Sequence, residues 1–182
     1  MLELKKGSPE DFSARPEVEK EVYTFLDNLK VEYLRLEHEP AFTMEICQEI
    51  DKSLGALICK NLFLTNRQKT DFYLLMMPST KVFKTKELSK ALGVSRLSFG
   101  EAEKMQELLG TSPGSASVLG LINDKENKVR LVIDEDVLKE EYFGCHPCVN
   151  TASLRIKVSD LTEKILPTLN HNFTSVTLLG EE

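Results

Sequence analysis

Apolar positions along the chain change period several times, and each change marks an element. After Pro16, which suits a first helical turn, Val18, Val22, Phe25, Leu26 and Leu29 recur at helical spacing. Tyr33 to Leu36 reads as a short strand, and Thr43 as the cap of a second helix that turns Ile46 and Ile50 inward. The segment ALICKNLFLTNRQKTDFYLLMMPS holds two strand-like runs around the polar turn Asn66–Asp71, a hairpin pattern. Helices are predicted over 85–92, stopped by Gly93, and over 99–109, stopped by Gly110. Ser98 followed by Glu101 has the spacing of a capping box for the second of these.

Beyond the Pro113–Gly114 turn the pattern predicts strands at Val118–Ile122 and Lys128–Ile133, joined by the polar NDKEN loop. A short helix over 135–141, a loop holding Cys145–Asn150 and a strand at Ser153–Val158 follow. Ser159 then caps a last helix, and Ser175–Leu179 forms a final strand. Hairpins mixed with helices, without strict β-α-β alternation, indicate a mixed α/β (α+β) fold: a largely antiparallel sheet surrounded by helices. Residues 1–15 read as a loose polar lead-in, and 16–182 as a single domain with no repeat or linker.

Composition leaves this picture standing. The 182 residues are 41% hydrophobic and 29% charged, as in ordinary globular proteins. The formal charge of −6 speaks against a dedicated nucleic-acid binder only as an average. Between Lys52 and Arg96 there are nine basic and two acidic residues, a net +7 set in a remainder of −13. Such a block can face an anionic partner while the acidic body repels non-specific polyanions. The N-terminal residues show no apolar signal-type run, and the longest apolar stretch, Phe72 to Pro78, is strand-sized. With four cysteines this predicts a reducing, cytoplasmic setting and no membrane contact.

Several constellations carry potential chemistry. Gly110-Thr111-Ser112-Pro113-Gly114 matches the G-x-S-x-G pattern of a hydrolase elbow, but Pro113 has no N–H to serve as an oxyanion donor. The overlapping loop Pro113-Gly114-Ser115-Ala116-Ser117 is made of small residues, so its N–H groups can form an anion- or carbonyl-binding concavity. Cys145-His146-Pro147-Cys148 has C-x-x-C spacing, yet it lacks the second ligand pair of a structural zinc site and precedes a strand rather than opening a helix. His38 and His171 are isolated and read as surface or loop residues. Lys60 shares a strand face with Leu62 and Leu64, an uncomfortable place for a merely solvated lysine.

Lys60 in its strand, the Pro113–Ser117 loop before LGLINDKENKVRLVID, and FGCHPCVNTASLRI together resemble the YbaK/ProX family of aminoacyl-tRNA deacylases. The resemblance spans roughly residues 19–178 and is closest to the free-standing ProX (PrdX-type) branch, related to the editing domain of bacterial prolyl-tRNA synthetases. It implies the fold of that synthetase-associated domain. It also implies hydrolysis of a mischarged tRNA at its 3′ acceptor end, with alanine on the proline tRNA as substrate, water as nucleophile and neither metal nor cofactor. Lys60 then corresponds to the catalytic lysine, and Gly114 and Ser115 to the loop that cradles the substrate carbonyl. His146, with Pro147, Asn150 and Thr151 of the H-P-x-x-N-T element, corresponds to the amino-acid pocket, flanked by Pro113 and Val118. A prolyl-tRNA synthetase is the implied partner.

Two departures from the family pattern stand out. Val118 follows Gly114 where many relatives have the proline of a G-x-x-x-P loop, and Cys145 and Cys148 surround the histidine. A deacylase for cysteine or another small amino acid, or a non-catalytic tRNA- or amino-acid-binding regulator on the same fold, are the alternatives these leave open.

Overall fold

The computed structural model describes residues 2–41 and 43–180. Two sheets carry the fold. The first is antiparallel, in the order β1–β2–β8–β7, formed by Leu4–Lys6, Tyr33–Glu37, Ala152–Lys157 and Tyr142–Cys145. The second runs β5–β3–β4–β6–β9, formed by Ser98–Phe99, Cys59–Thr65, Phe72–Pro78, Val129–Asp134 and Phe173–Val176. Its β3–β4 and β3–β5 pairs are antiparallel, whereas β6 runs parallel to both β4 and β9. The architecture is thus mixed and largely antiparallel, as the pattern predicts.

Helix α1 (Glu17–Asn28) buries Val22 and Leu26 against the main core, and Pro16 stands at its N-cap. Helix α2 (Met44–Leu54) starts where Thr43 Oγ1 accepts from the Ile46 N–H, and packs on β2 and β8. Ile50 is buried by that packing, but Ile46 is exposed rather than turned inward. Helices α3 (Thr85–Leu92) and α4 (Ala102–Leu109) end on Gly93 and Gly110, both left-handed, as glycine permits.

Several local expectations yield to tertiary pairing. Residues 4–6 of the lead-in form an edge strand against β2. Ser98 and Glu101 make no capping box: Ser98 and Phe99 pair with Thr65 and Leu64, so α4 begins later, after Glu101. Val118–Asn123 is a 3-10 helix and not a strand, because Ser117 Oγ accepts from the Leu119 N–H and Gly120 packs against the Leu109 carbonyl. Tyr142–Cys145 is a strand, β7, where a loop was expected to begin. The last helical run starts at Val158, with Lys157 and not Ser159 at its cap. It continues through a π turn at Leu161–Ile165 into Leu166–Thr168; Pro167 has no N–H to extend an α ladder. His171 is buried, with Nε2 3.4 Å from Asp124, whose carboxylate also accepts from the Lys128 and Val129 amides.

The two sheets pack on the main core, and among the described residues one isolated bridge joins their backbones. Ile58, just before β3, bridges Gly144 of β7, and the Gly144 N–H donates to the Leu57 carbonyl at 3.0 Å. A Cβ on Gly144 would lie 3.0 Å from the Ile58 Cα and 3.0 Å from Leu54 Cδ2. The backbones therefore approach as closely as only glycine allows. Gly144→Ala should push β7 from β3 and lower unfolding stability by about 1–3 kcal/mol, read as a reduced midpoint in urea denaturation.

Candidate active site

Lys60 and His146 each follow a cysteine, and both cysteines are pinned in the main core. Cys59 and Cys145 are buried in the same cluster as Phe143, Leu154 and Ile156, with Cys148 beside them. Successive strand residues face opposite sides, so burying Cys59 turns Lys60 away from that core, while His146 leaves the end of β7. Desolvation pushes the Cys59 and Cys148 thiols up to about 12, and Cys145 is raised as well. These are neutral packing groups rather than the thiolates that redox or metal chemistry needs.

The outward side of the junction carries a polar cluster. The His146 and His38 rings lie 6.3 Å apart. His146 Nδ1 is 2.8 Å from the Ala152 carbonyl, which can only accept, so Nδ1 carries the proton and Nε2 keeps its lone pair. Burial, opposed by that hydrogen bond, lowers the His146 pKa below its usual value. His38 is held in turn: Nδ1 donates to the Glu39 carbonyl at 2.9 Å, and Nε2 lies 2.8 Å from the hydroxyl of the buried Ser153. The reading of His38 as isolated is therefore corrected. It joins Ser153 and His146 although these stand more than a hundred positions away, and neither it nor Ser153 carries a local signal.

Lys60 is half-buried, and desolvation lowers its pKa. Its Nζ donates to the Lys81 carbonyl at 2.5 Å. Among the described residues no carboxylate pairs with it. Lys81 spends its own charge on structure, with Nζ 2.8 Å from the buried Asp134, 2.9 Å from Asp136 and 2.5 Å from the Leu178 carbonyl. That clamp fixes the carbonyl that orients Lys60.

The small-residue loop reaches the junction from the core side. Ser117 is buried next to Cys145, and Val118 lies in the core, 1% exposed. Gly114 is exposed with φ +95°, and open space surrounds it. Ser115 closes the turn on itself: its N–H and hydroxyl both donate to the Ser112 carbonyl, and its Oγ accepts from the Ser112 N–H. The N–H groups of Gly114, Ala116 and Ser117 have no acceptor among the described residues. No hydrogen bond among those residues joins this loop to Lys60 or His146. In the H-P-x-x-N-T element Pro147 is buried, while Asn150 and Thr151 are exposed, and the Thr151 carbonyl accepts from the His38 N–H. A cavity of about 480 Å³, lined by Leu57, Cys59, Pro78, Lys81, Tyr142 and Phe143, opens on the Cys59 side of β3. Neither Lys60 nor His146 lines it.

Residues 38–164 match the aminoacyl-tRNA editing domain family. The chain belongs to that family. It is 31% identical over 153 residues to the prolyl-tRNA editing protein ProX of Acetoanaerobium sticklandii, covering 84% of this chain and 93% of that one. It is 30% identical to the prolyl-tRNA synthetase associated domain-containing protein 1 of Danio rerio, covering 80% and 79%. A solved structure assigned provisionally as a trans-editing enzyme for prolyl tRNA synthetase superposes with a TM-score of 0.65 at 15% identity, over 90% of this chain and 98% of that one. That likeness shows a common fold.

The depressed His146 pKa has a consequence for stability. The unfolded chain takes up a proton near pH 6.5 that the folded chain resists, so the unfolded state binds more protons as pH falls below that value. Stability should decline from pH 6.5 downward until His146 itself protonates, and this part of the decline should vanish in His146→Gln. Urea denaturation across pH 5–8 measures it, and a His146 NMR titration midpoint at or above 6.5 would contradict it.

Proposed function

We propose that this protein acts in trans as an aminoacyl-tRNA deacylase, hydrolysing alanine from mischarged proline tRNA in the cytoplasm. The observation that carries the reading is the state of the two groups: Lys60 is a half-buried ammonium with no carboxylate partner among the described residues, and His146 is a partly buried imidazole whose Nδ1 proton is taken by the Ala152 carbonyl. Family membership and the ProX relative support the substrate class.

Each group has a definite task. Lys60 uses one N–H on the Lys81 carbonyl and keeps the others for a phosphate, ribose or ester oxygen of the terminal adenosine. The Nε2 lone pair of His146 accepts from the α-ammonium of the amino acid, a bond that a protonated imidazole could not make. The free Gly114 and Ala116 N–H groups stabilise the oxyanion that forms as water adds to the ester carbonyl. As the tetrahedral species collapses, the ester C–O bond breaks and the ribose oxygen leaves with a proton delivered by solvent. An aminoacyl ester is activated enough that positioning the water can suffice. Proline is excluded by size, and a pocket discriminating a methylene or two by size gains only about 1–3 kcal/mol, which is why a separate editing step is useful. A prolyl-tRNA synthetase is the partner that would hand over the product to be checked.

Purified protein should release alanine from alanyl-tRNA for proline and spare prolyl-tRNA. Lys60→Ala should lower kcat/KM by at least about tenfold, the loss of one transition-state contact. Inactivity on alanyl-, cysteinyl- and seryl-tRNA alike would refute the reading, whereas a preference for cysteinyl- or seryl-tRNA would reassign the amino acid only.

A further inference from the structure

The face of β3 that carries Lys60 is covered by a second apolar cluster of Leu64, Leu88 and Leu97, with Phe83 packed against it, and the rim of that cluster is exposed, aromatic and basic. Lys60, Leu62 and Leu64 share that face, and Leu64 is paired directly with Phe99 of β5, so Phe99 projects on the same side. Phe99 is 60% exposed, unusual for so large an apolar ring. Its ring meets Phe83 edge-on, with centroids 5.7 Å apart. Phe83 in turn stands two residues after Lys81, whose carbonyl holds Lys60. Val82 and Val94 add exposed apolar rim.

Helix α3 lies between the two phenylalanines in sequence, and the Leu97 N–H ties the start of β5 to it through Ser89 Oγ at 3.0 Å. Lys84, Lys86 and Lys90 are exposed, with the last two a helical turn apart on one face. Among the described residues none of the three pairs with a carboxylate. The one acidic residue between positions 79 and 100, Glu87, accepts from the Leu179 amide. A largely exposed phenylalanine, braced by Phe83 on a segment whose lysines have no carboxylate partner among the described residues, fits an unpaired, polyanionic strand better than an apolar protein face.

We infer that Phe99, braced by Phe83, is a stacking platform for a base of the single-stranded 3′ end of tRNA, and that Lys84, Lys86 and Lys90 hold the adjoining phosphates. The inference rests on the reading of aminoacyl-tRNA as substrate and extends it to nucleotides upstream of the ester. Leu64 lies four positions from Lys60 along β3, roughly 13 Å, a span of a few nucleotides. The terminal adenosine can therefore sit at Lys60 while a preceding base covers Phe99. Stacking of this kind tolerates any base, so the platform contributes affinity and register, not sequence choice.

The test uses the full chain and two uncharged RNA hairpins that copy the acceptor stem of a proline tRNA, one ending in the single-stranded NCCA tail and one blunt, with affinities read by fluorescence anisotropy. The tail should tighten binding to the wild type by about tenfold. Phe99→Ala should remove that gain and leave the blunt hairpin unchanged, and Phe99→Trp should restore it. The Lys84→Gln/Lys86→Gln/Lys90→Gln variant should weaken both hairpins and flatten the salt dependence. A wild type indifferent to the tail, or a Phe99→Ala protein that still distinguishes the hairpins, would overturn the inference. So would a Phe99→Ala change that turns a dimer into a monomer while RNA binding is unaltered, which would make the patch a contact between copies of this chain. Turnover of alanyl-tRNA by the same wild-type preparation is measured separately from hairpin binding. Tail-dependent binding without deacylation by the wild type would therefore remove the proposed activity and keep the platform.

Discussion

Everything at the site depends on how closely two backbones approach at Gly144 and Ile58. There the antiparallel sheet that ends in Cys145 is joined to the mixed sheet that begins with Cys59. A side chain at position 144 would meet Ile58 backbone at 3.0 Å, so glycine is what lets the two strands share one core cluster. Once Cys59 is buried in that cluster, strand alternation turns Lys60 to the other face of β3, and His146 follows the last residue of β7.

The electrostatics of that surface follow from partial burial. Lys60 is desolvated enough to favour an anionic partner yet stays free of carboxylates among the described residues. Lys81, near in sequence and also basic, is consumed by Asp134, Asp136 and the Leu178 carbonyl. One lysine builds the frame and the other is presented by it. Burial lowers the His146 pKa, and the Ala152 carbonyl dictates its neutral tautomer, so that Nε2 is an acceptor. The chain's overall charge of −6 is compatible with a polyanionic substrate because Lys84, Lys86 and Lys90, exposed and without a carboxylate partner among the described residues, gather at α3.

Local signals carried much of this. The β3–β4 hairpin was legible from two apolar runs about a polar turn, and Lys60 from its apolar neighbours on one strand face. The stops at Gly93 and Gly110 were legible because a left-handed residue favours glycine. What escaped was decided by partners distant in sequence. Ser98 looked like a cap but was claimed by Thr65 across the sheet. Val118–Ile122 looked like a strand until Gly120 found a place against Leu109. His38 gained its place beside His146 only through the pairing of β2 with β8, which sets Leu36 opposite Ser153. Within the small-residue loop the Ser115 N–H closes its own turn, while the Gly114, Ala116 and Ser117 N–H groups have no acceptor among the described residues.

The central claim is that Lys60, the Gly114–Ala116 donors and His146 bind one aminoacyl-adenosine. NMR chemical-shift mapping with a non-hydrolysable 3′-alanylamido-adenosine measures this directly. The account predicts coincident saturable shifts at the Lys60 and His146 side chains and at the Gly114 and Ala116 amides, with a single dissociation constant. Shifts confined to the cavity around Leu57, Lys81 and Tyr142, with Lys60 and His146 unmoved, would contradict it.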